Sequence, residues 1–150
     1  MNVDLDEQPP LVRRGESGDA DRIAEIFLAA RAEMTYLPDL HTDEETRDWI
    51  TGVMVPSHEV WVAETGGRVA GFAALNGHWL EHLYIDPAAQ GRGLGTALLE
   101  RAKQRRPLDL YVFQRNAGAR RFYERHGFTA VEWGDGSGNE EGLPDARYRW

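Results

Sequence analysis

The residues best suited to chemistry cluster between Leu80 and Thr96, which reads Leu-Glu-His-Leu-Tyr-Ile-Asp-Pro-Ala-Ala-Gln-Gly-Arg-Gly-Leu-Gly-Thr. Gly91, Gly93 and Gly95 carry no β-carbon, so backbone there can approach a ligand closely. Successive N–H groups at a helix start, together with the helix dipole, favour an anion. Arg92 adds a cation inside the turn. A plain glycine-rich turn that caps a helix would use the same residues. A Walker A loop needs Gly-Lys-Ser/Thr at its end, and none is present. A dinucleotide fingerprint needs Gly-x-Gly-x-x-Gly, and Thr96 stands where the third glycine belongs. Asp109 lies near the distance of a ribose-binding acid but begins its strand instead of ending it. The spacing Gln90-x-x-Gly93-x-Gly95 is the third pattern in this loop.

Two titratable groups precede the loop on the same strand. Strict alternation puts Glu81 on one face with Leu83 and Ile85, and His82 on the other. His78 and His82, four residues apart on a strand, span about 13 Å, which is too far for one metal to bridge. No metal site is expected. No nucleophilic triad stands out, and the absence of cysteine removes a thiol nucleophile, disulfides and Cys-ligated metals.

The elements that must position these groups follow from periodicity. Leu11 to Arg14 predicts a short strand. Ile23, Ile26, Phe27 and Ala30 repeat at helical spacing and predict a helix over about 19–33. Thr42-Asp43-Glu44-Glu45 is a capping-box pattern that opens a second helix through Trp49 and Ile50, ended by Pro56 and Ser57. Gly66-Gly67 and Asn76-Gly77 are hairpin signals joining three strands that end near Thr65, Leu75 and Ile85. Leu94, Leu98, Leu99 and Ala102 predict a third helix, stopped by Pro107. A strand at 108–113, a helix through Ala119, Phe122, Tyr123 and His126, and strands at 128–133 and 146–150 complete the chain. The order β-α-α-β-β-β-α-β-α-β-β implies an α/β (α+β) domain. It has one mixed sheet of about seven strands flanked by four helices.

A chain of 150 residues is one domain by size, read as a flexible tail over 1–10 and a folded unit over 11–150. Apolar residues make up 41 % and charged residues 28 %, which excludes disorder. The net charge of −8 argues against a nucleic-acid partner. The longest apolar run, Val69 to Leu75, is too short to cross a membrane, and the N-terminus does not resemble a signal peptide. A cytoplasmic location is expected. Residues 90–125 nevertheless hold nine basic side chains against three acidic ones. Such a segment suits a bound anion, although Arg-rich helices also simply expose solvated faces.

The Gln90-x-x-Gly93-x-Gly95 pattern resembles the acyl-CoA pyrophosphate loop of the GCN5-related N-acetyltransferase (GNAT) superfamily. A second stretch strengthens the likeness: Asn116, Ala119, Phe122, Tyr123, Gly127 and Phe128 fall at the spacing of that superfamily's later motif. The resemblance spans about 11–150 and is specific over 80–128.

The resemblance implies acetyl-CoA as co-substrate. It implies that Leu83, Tyr84 and Ile85 offer backbone groups to the pantetheine arm beside a splayed strand. Gln90, Gly91, Arg92, Gly93, Leu94, Gly95 and Thr96 would bind the pyrophosphate. Asn116 would contact the arm, although an N-cap alone would justify it. Tyr123 stands at the position of the usual general acid, where a phenol can donate to the departing thiolate. Glu81 is the candidate base. Trp79 departs from the pattern, since other members carry a Glu there. His82 reads as structural, and His41 lies in a loop that borders the acceptor in relatives. The implied reaction is direct attack of a primary amine on acetyl-CoA in a ternary complex. The alternative is a non-catalytic acyl-CoA-binding module.

Two acidic segments are expected to border the acceptor: Asp39, Asp43, Glu44 and Glu45, and Asn139, Glu140, Glu141 and Asp145. Their charge points to a cationic acceptor, against the plain reading of ordinary loop acidity. The acceptor itself is a small-molecule or peptide amine. A monomer and a homodimer are both compatible with the chain.

Overall fold

The computed structural model describes residues 9–104 and 107–150; the tail expected over 1–10 therefore falls mostly outside the described residues, as do Arg105 and Arg106. Seven strands form one sheet: β1 (Leu11–Arg14), β2 (Glu59–Thr65), β3 (Arg68–Asn76), β4 (Trp79–Ile85), β5 (Asp109–Phe113), β6 (Thr129–Gly134) and β7 (Asp145–Arg149). Their spatial order is β1-β2-β3-β4-β5-β7-β6. All neighbours run antiparallel except β4 and β5, which are parallel. The expected α+β class and the order of elements along the chain are the ones observed.

Four helices cover the sheet. Helix α1 (Ala20–Ala32) buries Ile23, Ala24, Ile26 and Phe27, one stripe at helical spacing. Helix α2 (Asp43–Trp49) opens with the capping box read in the sequence: Glu45 N–H donates to Thr42 Oγ1 (3.1 Å), and Thr42 N–H donates to Glu45 Oε1 (2.9 Å). It then runs further than expected, through a π turn (Ile50–Met54) and a final helical turn (Val55–Ser57). Val55 N–H reaches back five residues to Ile50 O, just ahead of Pro56, which has no N–H to give. The wider turn buries both Ile50 and Met54 completely. Helices α3 (Leu94–Lys103) and α4 (Ala117–Arg125) follow the glycine loop and Asn116 respectively.

The core lies in two layers. Ile23, Phe27, Ile50, Met54, Val62 and Phe72 pack α1 and α2 on one face. Leu94, Leu98, Leu99, Leu110, Phe128 and Tyr148 pack α3 and α4 on the other. Burying one Leu of this kind contributes on the order of 2 kcal/mol.

Two irregularities shape the middle of the sheet. Strands β4 and β5 share only the pair Trp79↔Asp109, closed by Asp109 N–H donating to His78 O (2.9 Å), and then separate. Next to this gap, the β3–β4 register jumps from Ala74↔His82 to Leu75↔Leu80, so Glu81 is the extra residue of a β-bulge. Leu83 and Ile85 pack toward α3 and α4, whereas Tyr84 packs toward α1.

Candidate active site

The glycine loop is built as an anion cradle. Asp86 Oδ1 accepts from Ala88 N–H (3.0 Å) and starts a single 3-10 turn, Pro87–Ala89, after which Gln90 is extended. Gly91 and Gly93 adopt φ of +82° and +77°, a left-handed conformation that side-chain-bearing residues resist. Ala97 N–H is the first to bond back, to Gly93 O (3.0 Å), so the N–H groups of Leu94, Gly95 and Thr96 stand ahead of the helical ladder. No side chain caps this helix start. Such N–H groups suit a pyrophosphate, and the residues present fit one. Thr96 contributes backbone more than hydroxyl, because its Oγ1 contacts His126 Nε2 (3.2 Å). His126 Nδ1 in turn contacts Phe122 O (2.8 Å), which ties α3 to α4.

On α4, Asn116 Oδ1 accepts from Ala119 N–H (3.1 Å), so the carboxamide oxygen serves as N-cap. Its NH2 is the half that remains for a pantetheine arm. Tyr123 packs edge-on against Phe122 (5.3 Å between ring centres) and Phe128 (5.5 Å). Burial, with a smaller contribution from Tyr84, pushes its phenol above the ordinary tyrosine range. It therefore remains a proton donor at any working pH. The separation of β4 from β5 brings Tyr84, from the α1 face, within electrostatic reach of Tyr123 on the α4 face. Tyr36 stands in this region too. Its buried hydroxyl has no hydrogen-bond partner among the described residues, while Arg115 lies over its ring (4.9 Å).

A cavity of about 920 Å³ opens on the α1 face. Phe27, Trp49 and His82 form part of its wall. Asp39 from the α1–α2 connection, Asp43 and Glu45 from the first turn of α2, and Glu140 and Glu141 from the β6–β7 loop supply carboxylates. Glu44, Asn139 and Asp145 do not line it. Asn139 Nδ2 instead donates to Leu143 O (2.7 Å) and Asp145 Oδ2 (3.1 Å), which shapes the loop. Two contacts strap the loops together across the cavity: His41 Nε2 with Glu140 Oε1, and Arg31 with Glu141 (3.2 Å).

Glu81 is placed differently from the alternation rule. The bulge cancels the rule at this point, and the Glu81 side chain turns to His58, with His58 Nε2 to Glu81 Oε2 at 2.6 Å. The His58 ring lies 6.5 Å from that of His82, so Glu81 and His82 come to the same side of the sheet. Of these two, it is His82 that lines the cavity. Neither ring nitrogen of His82 has a hydrogen-bond partner among the described residues, and burial pushes its pKa down to about 4. The sequence reading took His82 as structural; the structure puts it in the cavity wall beside a bulge that local sequence does not mark.

A sheet that parts between two parallel strands, with an anion cradle on one side and a lined cavity on the other, defines an acyl-CoA-type transferase fold. The chain belongs to the GNAT acetyltransferase family: the family's acetyltransferase (GNAT) domain matches residues 56–130. Peptidyl-lysine N-acetyltransferase YjaB of Salmonella typhimurium is 37 % identical over 80 % of this chain and 83 % of its own length. Peptidyl-lysine N-acetyltransferase YiaC of Escherichia coli is 39 % identical over 50 % of this chain, and the match spans about half (54 %) of that relative's length. Among solved structures, apo YjaB from Escherichia coli superposes with a TM-score of 0.78, at 23 % identity, over 95 % of this chain and 98 % of that one. YncA of Salmonella typhimurium, solved with acetyl-CoA as its cofactor, gives 0.70 at 23 % identity over 95 % and 94 %. No helix among the described residues is long and apolar enough to cross a membrane.

Proposed function

We propose that the protein transfers the acetyl group of acetyl-CoA to a primary amine by direct attack within a ternary complex. The observation that carries this reading is the parting of β4 from β5 beyond the single pair Trp79↔Asp109, directly ahead of the glycine loop, with His82 of the same strand in the cavity wall. Acetyl-CoA, when bound, supplies the activated acetyl group. The α3 N-terminus from Gln90 to Thr96, with Arg92, would hold the pyrophosphate. The unpaired edge of Leu83, Tyr84 and Ile85 would hold the pantetheine arm, with Asn116 opposite. Tyr123 donates its proton to the departing sulfur. Holding thioester and amine together in one cleft accounts for much of the acceleration.

The acceptor is a cationic amine. Asp39 and Asp43 line the cavity without a cationic partner among the described residues, so their field draws positive charge. Two relatives are named as peptidyl-lysine acetyltransferases, and a lysine side chain has this chemistry. Glu81 enters the reaction from behind His58, not as a carboxylate exposed in the cavity.

Thiol release from acetyl-CoA, followed over a panel of amines, tests the proposal. Release with one amine class supports it. Saturable CoA binding with no release from any amine or lysine peptide would favour a binding module instead.

A further inference from the structure

His82 is the one imidazole in the wall of the acceptor cavity that makes no hydrogen bond through its ring nitrogens among the described residues. His41 also lines the cavity, but its ring contacts Glu140. The His82 ring is held on three sides. Phe27 lies 5.8 Å away, Trp49 5.6 Å and Tyr84 6.2 Å, centre to centre. These three residues come from α1, α2 and β4, so the orientation of the ring is set by the fold. A half-buried imidazole clamped by three rings, in the wall of a space lined by carboxylates and with no protein partner for its nitrogens among the described residues, is placed to exchange a proton with what fills that space.

The candidate base read from the sequence is less well placed. Glu81 already receives His58 Nε2 at 2.6 Å and Asn76 Nδ2 at 3.4 Å. His58 is itself fixed by Ser57 Oγ at 2.9 Å from Nδ1. The chain Ser57–His58–Glu81 thus lies beside His82 and does not line the cavity.

We propose that His82 is the group that accepts the amine proton during acetyl transfer, with the Glu81–His58 pair as its electrostatic support. This inference rests on the acetyltransferase reading above. An acceptor that enters as ammonium first releases one proton to water in the cavity. As its nitrogen bonds to the acyl carbon, a remaining N–H proton passes to the unprotonated ring nitrogen of His82. The carbon–sulfur bond breaks, its electron pair leaves on sulfur, and the Tyr123 hydroxyl proton follows. His82 then returns its proton to solvent and Tyr123 regains one, so both side chains end as they began.

The groups facing His82 pull in both directions. Glu81 on β4 favours the protonated ring, while His58 after α2 and Arg31 on α1 oppose it. Tyr84 stacks beside it from β4, and Trp49 and Phe27 bring no charge. Burial is the largest influence and keeps the resting ring neutral, able to accept a proton.

The test compares wild type, His82→Gln and His82→Asn in thiol release from acetyl-CoA, with an amine that wild type acetylates, from pH 6 to 10. Thermal melts show which variants fold. The expected result is a fall in kcat of about 10²- to 10⁴-fold at pH 7, with the KM for acetyl-CoA changed less than about threefold. The lost rate should return progressively as pH rises, because hydroxide can then take the N–H proton that His82 no longer accepts. Added imidazole should partly restore His82→Ala. A folded variant within about threefold of wild-type kcat would overturn the role of His82 and leave the transferase reading intact. So would a loss confined to acetyl-CoA binding, with no pH-dependent recovery and no rescue. Absence of release by wild type itself across alkylamines, polyamines and lysine peptides would overturn both.

Discussion

Tyr123 is half-buried among aromatic rings, whereas Glu81 is exposed and engaged by His58, and that difference decides what each can do. Desolvation holds the Tyr123 phenol protonated, which keeps a proton available for a developing thiolate. Tyr123→Phe keeps the ring contacts to Phe122 and Phe128 and removes only the hydroxyl. It should lower kcat about 10²-fold while leaving the melting temperature and the acetyl-CoA dissociation constant near wild type. Calorimetric titration alongside thiol release checks both halves. The acidic residues separate in the same way. Glu140 and Glu141 are answered by His41 and Arg31, whereas Asp39 and Asp43 have no cationic partner among the described residues. Asp39→Asn with Asp43→Asn should therefore raise the KM of a cationic acceptor several-fold at low salt, more than Glu140→Gln with Glu141→Gln does. Screening should shrink the difference at 0.5 M salt, since exposed charges act over roughly a Debye length. An equal effect of the two pairs, independent of salt, would count against attraction by the free carboxylates.

At the scale of elements, the site depends on how closely backbone segments approach. Gly71 on β3 lies opposite Ile85, and a β-carbon there would come within 2.6 Å of Ile85 Cδ1 and 3.3 Å of Leu98 Cδ1. Gly71→Ala should destabilise the fold by about 1–3 kcal/mol, because β4 must shift or Ile85 must leave its rotamer. The displaced strand is the one offered to the pantetheine arm, so acetyl-CoA affinity should fall with the melting temperature. Gly93→Ala acts differently. Nothing crowds the position, but φ of +77° costs an L-residue roughly 1–2 kcal/mol, borne entirely by the loop. Urea melts and CoA titrations on the two variants check this contrast. The sequence made these elements legible where local chemistry defines them. The Thr42 capping box, the Asn116 N-cap, the hairpin glycines and the glycine loop all appear where their residues predict. It failed where tertiary contacts overrule local pattern. The bulge at Glu81 answers to pairing with β3, and no property of residues 79–85 taken alone marks it. The π turn at Ile50–Met54 is likewise set by burial of both ends and by the proline beyond. Because the bulge determines which side chains meet at the cavity, the acceptor side depends on strand pairing that residues 79–85 do not encode locally.

At the scale of the whole molecule, acid stability should fall in two separate pH windows. The half-buried His82 ring is held neutral, with desolvation lowering its pKa from 6.5 to about 4. The unfolded chain therefore binds a proton that the folded chain refuses, and stability declines as pH falls from about 6.5 toward 4. The full cost is on the order of 3 kcal/mol. The second window belongs to carboxylates engaged by arginine. Asp19 with Arg13 (2.8 Å), Asp86 with Arg22 (2.6 Å) and Asp109 with Arg149 (2.8 Å) all have lowered pKa values, so their support is present above the ordinary aspartate range. It is lost as pH falls through the folded-state values, below about 4. These pairs fasten different places: β1 to the start of α1, α1 to the entry of the glycine loop, and the base of the β4–β5 gap. A melting curve measured from pH 8 to pH 3 should show a gentle decline followed by a steeper one. His82→Gln should flatten the upper decline and leave the lower one unchanged. Arg149→Gln should lower the melting temperature only modestly at pH 7, because the guanidinium is half-exposed and screened by solvent. It should also soften only the lower decline, because Asp109 then has less to lose on protonation. If His82→Gln left the upper window unchanged, the imidazole would not be held neutral in solution, and the same ring could not await a proton in the acceptor cavity.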